Sequence, residues 1–390
     1  MRIALLTTGR FTLVDLAREL CALGHEVKVY SLVPPFRNRL FGLPEHCNRW
    51  LGARGLPLYA AVRYLPDGQL KDHANEALLE LVDERAIDLL EPCDVLISMS
   101  GIGVRVLEEA RRRYGARIFV ERSSVHILTQ RDILERMPGM DRSFGKRFRY
   151  ERDLLSYALA DVITVPSRHV LQSFLERGYA PERLFLNMFG VSLEQFVPTP
   201  APARDARPTI VMAGAWSLQK GCDVLVEAWR KLPGTRLLHV GPVADLPLPD
   251  DPLFEHVDAV PQAELLRYYA QSHVFALPSR QDGMGIVLIQ ALASGLPIVC
   301  TTMTGGPDLA NWATTPDAVR VVPPDDADAL ARALEEALAT LPAPGKLRDL
   351  LGEQRGELSW PASARRYEQR LQAAVLAWPT QEGVVAQASS

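Results

Sequence analysis

Cysteine is sparse. The 390-residue chain has five, at 21, 47, 93, 222 and 300, and no two form a C-x-x-C pair. That spacing argues against a disulfide-stapled scaffold and a zinc ribbon. An odd count in a long chain points instead to reduced thiols and a cytosolic setting. Cys21, Cys93 and Cys300 sit in apolar runs and read as small core residues. No window approaches the roughly 18–20 consecutive apolar residues of a membrane-spanning helix. The apolar start, MRIALLTTGR, is too short for the core of a signal peptide and reads as a strand. Charge of one sign is also lacking. A net charge of −4 gives no whole-chain case for a nucleic-acid partner. No repeat of about 20–50 residues is visible, which argues against a solenoid or propeller. His239, His256 and His273 lack ligand spacing, and no cluster of His, Cys and carboxylates predicts a metal site.

What is present is an ordinary globular mixture, 47% hydrophobic and 23% charged, in a chain longer than one core usually serves. Two domains of α/β type are expected. MRIALLT (1–7), the leucine-periodic helix 12–24 closed by Gly24, and HEVKVYSL (25–32) make a β-loop-α-β opening. Its loop carries a single glycine, Gly9. Residues 34–65 read as irregular, with Arg37, Arg39, Arg49, Arg54 and Arg63 interleaved among Phe36, Phe41, Trp50 and Tyr64. Such a stretch fits either a solvated loop or a basic aromatic surface for a membrane interface or an anionic acceptor. Helices are expected at 74–90, 105–115 and 168–178, and a basic helix opens the segment 141–167. Strands are expected at 93–100, 117–126 and near 162–166. TPAPARDARP (199–208) has the composition of a linker. Beyond it come strands 209–215 and 236–242, helices 222–232, 263–272 and 325–338, and a last helix 359–378. About 27 basic and 25 acidic residues precede position 200, and 16 and 22 follow it, so the first half is slightly the more basic.

The chain is organised around residues 277–308. HVFALP (273–278) is a short apolar strand, Ser279 to Gly285 a loop, Ile286 to Ala293 a helix stopped by Gly295 and Pro297, and IVCT (298–301) the next strand. Glycines where a strand gives way to a helix let backbone N–H groups approach an anion at the helix's positive end. Asp282 and Gln290, eight apart, fall about two turns from each other and can face one ligand.

P-S-R-Q-D-G-M-G followed by A-L-A-S-G-L-P-I-V resembles the donor-binding signature of retaining glycosyltransferases of family 4, which have the GT-B fold. Asp282 and Gln290 stand where that signature has its two glutamates, and Met284 where it has phenylalanine. A-G-A-W-S-L-Q-K-G (213–221) resembles the family's phosphate-binding loop, with Lys220 at the lysine and Ala215 where many members have arginine. Gly190, Val191, Phe196 and Pro198 fit the family's interdomain segment.

The resemblance implies two Rossmann-like domains facing a central cleft. An acceptor-binding domain would span 1–198 and a nucleotide-sugar-binding domain 206–358, with a helix at 359–378 returning to the first. It implies transfer of a sugar, with retained anomeric configuration, from a nucleotide-diphosphate donor to a saccharide or lipid-linked hydroxyl, and neither cofactor nor metal. Donor contacts would come from Gly9, Gly214, Lys220, Ser279, Asp282, Gly283, Met284, Gly285 and Gln290, and chemistry from His126, Lys220 and Asp282. His126, just past the strand RIFVERSSV, is expected to turn its ring into the cleft. Glu121 and Arg122 would orient neighbours or pair with each other. The protein would work in cell-surface polysaccharide or glycolipid assembly, in the cytoplasm or peripherally on the inner face of the membrane. The substituted acid positions and Ala215 leave two alternatives open, a sugar-nucleotide-binding partner subunit without turnover and a GT-B nucleotide-sugar epimerase.

Overall fold

A computed structural model describes residues 1–66, 68–137, 147–203, 207–340 and 343–376, with only the backbone of Ala53 and Arg147. The short apolar runs become two parallel sheets. β1 (Arg2–Thr7), β2 (Glu26–Ser31), β3 (Asn48–Trp50), β4 (Val95–Met99), β5 (Arg117–Glu121), β6 (Val162–Val165) and β7 (Leu184–Leu186) form the first, in the order β3-β2-β1-β4-β5-β6-β7. β8 (Thr209–Ala213), β9 (Arg236–Val240), β10 (Phe254–Val257), β11 (Val274–Leu277), β12 (Ile298–Thr301) and β13 (Val319–Val322) form the second, in the order β10-β9-β8-β11-β12-β13. Runs such as VLISM and VITV are buried at every position, as strands covered by helices on both faces must be.

Both sheets wind the same way. Each lays three strands outward in one direction and then returns to the other side of its first strand, so the order reverses between β1 and β4 and again between β8 and β11. At such a reversal the connecting loops diverge and leave a crevice at the strands' carboxyl ends, where ligands of open α/β sheets bind.

The last helix, Trp360–Leu376, packs on the first sheet. Ala364, Tyr367, Leu371 and Ala374 share a core with Leu13, Leu16 and Leu20 of the helix Leu13–Ala22. Tyr367 donates its hydroxyl hydrogen to Glu121 Oε1 at 2.6 Å, at the end of β5. Residues 199–201 are tied to the second unit: Thr199 O accepts from the Arg348 backbone N–H, and Ala201 N–H reaches Lys346 O.

Residues 34–65 are more regular than their composition predicts. They hold the helices Pro35–Leu40 and Leu56–Tyr64 and the edge strand β3. Pro35 and Pro57 both lie in first turns, where the missing N–H costs nothing. β3, β10 and β13 escaped the pattern reading because they are short edge strands with little alternation. The start of the expected basic helix, 141–146, lies outside the described residues; from Arg147 to Leu159 the chain is helical.

Candidate active site

The crevice between β8 and β11 is built by two loops. The first runs from Gly214 to Gly221 and opens the helix Cys222–Trp229. Gly221 has φ +69°, and a Cβ there would overlap the Pro278 carbonyl oxygen, so glycine lets the two loops touch. Gly214 donates to Val240 O at 3.0 Å, and its carbonyl accepts from His239 Nε2 at 2.9 Å. The second loop follows Pro278 and ends at Gly285, φ +68°, which opens the helix Ile286–Ala293. In the first turn of that helix the Leu288 N–H donates to the Gly285 carbonyl at 2.8 Å, and the helix's positive end lies on the carboxyl side of β11.

Lys220 and Asp282 meet there. Lys220 Nζ donates to Asp282 Oδ2 at 2.5 Å, with both side chains largely but not wholly covered. Asp282 Oδ1 accepts from the Gly283 N–H at 2.8 Å. Gln290, one of the resemblance's two substituted acids, is 2% exposed, and its Oε1 has no hydrogen-bond partner. Ser279 is fully buried with an unpartnered Oγ, while its carbonyl accepts from Thr301 Oγ1 at 2.6 Å. Buried polar atoms normally find partners, so two unpartnered ones on the loop and helix that follow β11 are groups that polar ligand atoms would satisfy. Met284 packs: its carbonyl accepts from Gly305 N–H at 3.1 Å, and its side chain lies against Gly305.

The first sheet closes on these loops, and this the sequence did not foretell. Ser167 Oγ donates to Gly283 O, and His169 Nε2 to Asp282 O, both at 2.5 Å. Asp308 Oδ2 accepts from the Arg168 N–H at 3.1 Å. Gln281, 1% exposed, donates through Nε2 to Ser124 Oγ at 2.5 Å and accepts from Gln219 Nε2 at 2.7 Å. A Cβ on Gly283 would overlap the Ser123 carbonyl, which explains the glycine. Burial lowers the His169 pKa, so the neutral ring donates to the carbonyl, and burial raises that of Asp308. The motif V-P-S-R-H carries no sign of a partner 113 or more residues away; only the tertiary fold supplies one.

Two predicted site residues lie elsewhere. Gly9 sits in the loop after β1, at the reversal of the first sheet, where Thr7 Oγ1 bonds both its N–H and its carbonyl. His126 does not enter the cleft. Its ring is 1% exposed and lies among Tyr157, Phe174 and Tyr179, with centroids 5.0–5.5 Å away. Its Nδ1 accepts from the Leu128 N–H at 3.3 Å, capping the helix Ile127–Leu134, and its Nε2 has no partner. Burial, with Arg177 and Arg122 adding, pushes its pKa down to about 4. The strand ends at Glu121, five residues before His126, so the chain has already turned back over the core when the ring is placed. Glu121 and Arg122 do not pair. Glu121 is bound by Tyr367, and burial raises its pKa to about 7. Arg122 reaches Asp153, Gln130 and the Val125 carbonyl, and so frames the loop that meets Gly283. Among the described residues, no three His, Cys, Asp or Glu side chains gather as metal ligands would.

Residues 207–340 match the family model described as glycosyl transferases group 1. A GDP-mannose-dependent alpha-(1-6)-phosphatidylinositol monomannoside mannosyltransferase of Mycolicibacterium smegmatis is 30% identical over 210 residues, 46% of this chain and 53% of that protein. A sulfoquinovosyl transferase of Arabidopsis thaliana is 29% identical over 167 residues, 38% of this chain and 32% of that one. The matched parts thus span between a third and about half of these curated relatives. Among solved structures, sucrose-phosphate synthase from Thermosynechococcus elongatus superposes with a TM-score of 0.69 at 19% identity, over 97% of this chain and 100% of that one. Anabaena HepE in complex with UDP-glucose gives 0.62 at 14% identity, over 97% and 100%. At these identities the structural likeness speaks for the fold. Taken together, residues 207–340 match the group 1 glycosyltransferases, and the chain as a whole has the GT-B fold.

Proposed function

We propose that the protein is a retaining glycosyltransferase that moves a sugar from a nucleotide-diphosphate donor to an acceptor hydroxyl. The observation that carries this reading is the meeting of Lys220 and Asp282 at the β8/β11 reversal, with the unpartnered Gln290 Oε1 on the helix that the Asp282 loop opens. A diphosphate entering there would compete with Asp282 for the Lys220 ammonium. The lysine would then oppose the charge that grows on the leaving phosphate, together with the N–H groups of the helix Ile286–Ala293. Released from Lys220, Asp282 would accept hydrogen bonds from donor-sugar hydroxyls, and Gln290 Oε1 would accept one from the ribose. In this account charge stabilisation comes from protein groups, so turnover should persist in the presence of a chelator. Closure of Ser167, His169 and Ser124 onto the donor loop would limit donor hydrolysis by water.

The relatives' names support the donor class: one is GDP-mannose-dependent, and the Anabaena structure holds UDP-glucose. The acceptor we place at the first sheet's reversal, near Gly9. A lipid-linked acceptor, in polysaccharide or glycolipid assembly at the cytoplasmic face of a membrane, is supported by the surface of residues 34–65. There Phe36, Leu40 and Tyr64 are more than 60% exposed, near Arg37, Arg39 and Arg63. No helix among the described residues is long and apolar enough to cross a membrane. The test is turnover of labelled nucleotide-sugars with a panel of saccharide and lipid-linked acceptors, the anomer of the product being read by NMR. Acceptor-dependent transfer with retention is the expected result. Donor consumption without any acceptor would favour the epimerase alternative, and donor binding without turnover the partner subunit.

A further inference from the structure

Cys21, Cys93 and Cys300 read as small core residues in the sequence, but the fold brings Cys21 together with Cys47. Cys21, in the last turn of the helix Leu13–Ala22, and Cys47, in the turn before β3, place their Sγ atoms 3.1 Å apart. That is about 1 Å longer than a disulfide bond and shorter than an ordinary contact between sulfurs. Two cations lie near the pair, Lys28 ion-paired with Glu26 and Arg49 with Glu91. Lys28, on β2, and Arg49, on β3, act on the thiol of Cys47, and Arg49 also donates to the carbonyls of His46 and Asn48, wrapping the turn that holds it. A hydrogen bond from Cys21, with these two charges, holds the Cys47 thiol below its ordinary range, and the same bond, with burial, pushes the Cys21 thiol up, so Cys21 is the sulfur that keeps the proton. Cys47 is fully buried, whereas Cys21 is partly exposed. Cys93, Cys222 and Cys300 lack the solvent access of Cys21: all three are buried, and burial pushes each thiol up to about 12.

We propose that Cys21 and Cys47 form a dithiol site for small-molecule disulfides, with Cys21 the accessible sulfur and Cys47 the resolving one. Cys21 gives its thiol proton to Cys47 as its Sγ attacks one sulfur of the disulfide RSSR, forms a mixed disulfide and expels RS⁻, which takes that proton on. The Cys47 thiolate then attacks Cys21 Sγ, forms the Cys21–Cys47 bond and expels the second RS⁻. The two protons lost by the cysteines end on the two RS⁻ groups, so two RSH leave and the small disulfide is the oxidant consumed. The bond closes the loop 21–47, which contains β2 and the helix Pro35–Leu40 with Arg37 and Arg39. It therefore fixes the exposed basic segment to the helix that starts at the first sheet's crevice. Arg18 of that helix already donates to the Phe41 carbonyl at 3.1 Å, so the covalent link stiffens an existing contact.

The test uses the full-length protein, reduced and then incubated with oxidised glutathione. Digestion without reductant and mass spectrometry should find one linked peptide pair, 21 with 47, lighter than the two thiol peptides by about 2 Da and restored by dithiothreitol. Cys47→Ser should instead stall as a glutathione adduct on Cys21, and Cys21→Ser should stay unmodified at both positions. The reading needs no donor or acceptor, so it stands or falls apart from the proposed activity. Two results would overturn it: free thiols at 21 and 47 after oxidation of the wild type, or a Cys47→Ser protein in which Cys21 is no more reactive than Cys222. Circular dichroism of both variants separates loss of the site from loss of the fold.

Discussion

At Lys220 the competition is between an internal carboxylate and a ligand's phosphates. Lys220→Ala should weaken binding of a nucleotide diphosphate by about 1.5–3 kcal/mol, the range for hydrogen bonds to a charged group, and calorimetry should show it. Gln290 separates polarity from charge. Gln290→Glu keeps an acceptor for the ribose and should retain most donor affinity, whereas Gln290→Leu keeps the volume, loses the acceptor and should bind at least several-fold more weakly. Equal affinity for Gln290→Leu and wild type would make the residue mere packing. His126 belongs to a different problem. Its ring caps a helix and fills a space between three aromatic rings, so His126→Ala should cost about 2–4 kcal/mol of stability through lost packing and capping. The sign of its pH effect follows from a folded-state pKa of about 4 against an ordinary 6.5. The unfolded chain takes up the proton first as pH falls, so this residue's contribution is present above pH 6.5 and is lost as pH drops towards about 4. His126→Gln should flatten that part of the stability profile measured by urea titration.

Among the elements, the last helix is held to the first sheet by a buried acid. Glu121 has its pKa raised to about 7 by burial, and Tyr367 donates to it. A raised carboxyl pKa means the folded state holds its proton more tightly than the unfolded chain. The stabilisation is therefore full below about pH 4.5 and is lost as pH rises through about 7. Glu121→Gln keeps an oxygen for Tyr367 and removes the ionisation, so its melting temperature should exceed that of the wild type at pH 8 and differ little at pH 5. The helix beginning at Arg168 works differently, through the donor loop. His169→Ala should raise the donor KM while leaving the melting temperature nearly unchanged, and His169→Gln, which restores an N–H donor, should recover part of it. A melting temperature that falls in step with activity would assign His169 to the fold alone.

Much of this was legible element by element. The helix Ile286–Ala293 and the strand Ile298–Thr301 lie where their apolar runs, bounded by Gly285, Gly295 and Pro297, place them. Local signals of that kind act over a few residues. They could not show that Ser167 and His169 reach the carbonyls of Gly283 and Asp282, nor that Cys21 lies on Cys47, because each of these contacts is made by winding the sheets. His126 was misplaced for the same reason. The strand before it was expected to run up to His126 but ends at Glu121, and the direction of its ring depends on Tyr157, Phe174 and Tyr179, which arrive later in the chain.

Over the whole molecule, two sheets with the same winding present their crevices to one cleft, and the residues that carry charge are divided between them. The β8/β11 side has the paired Lys220 and Asp282 and two unpartnered buried polar atoms. The first sheet contributes closing contacts and the basic surface of residues 34–65. If that surface meets a membrane, the protein should sediment with anionic vesicles at low salt and be released at high salt, because the attraction is screened over a Debye length. The central claim, that a nucleotide-diphosphate sugar binds at the β8/β11 crevice through Lys220, is tested most directly by one thermal-shift series. Wild type and Lys220→Ala are heated with each member of a nucleotide-sugar panel, since a ligand of the native state raises its melting temperature. The account predicts that at least one nucleotide-diphosphate sugar raises the wild-type midpoint and that the shift is largely lost in Lys220→Ala. No shift with any member of the panel, or an equal shift in both proteins, would contradict it.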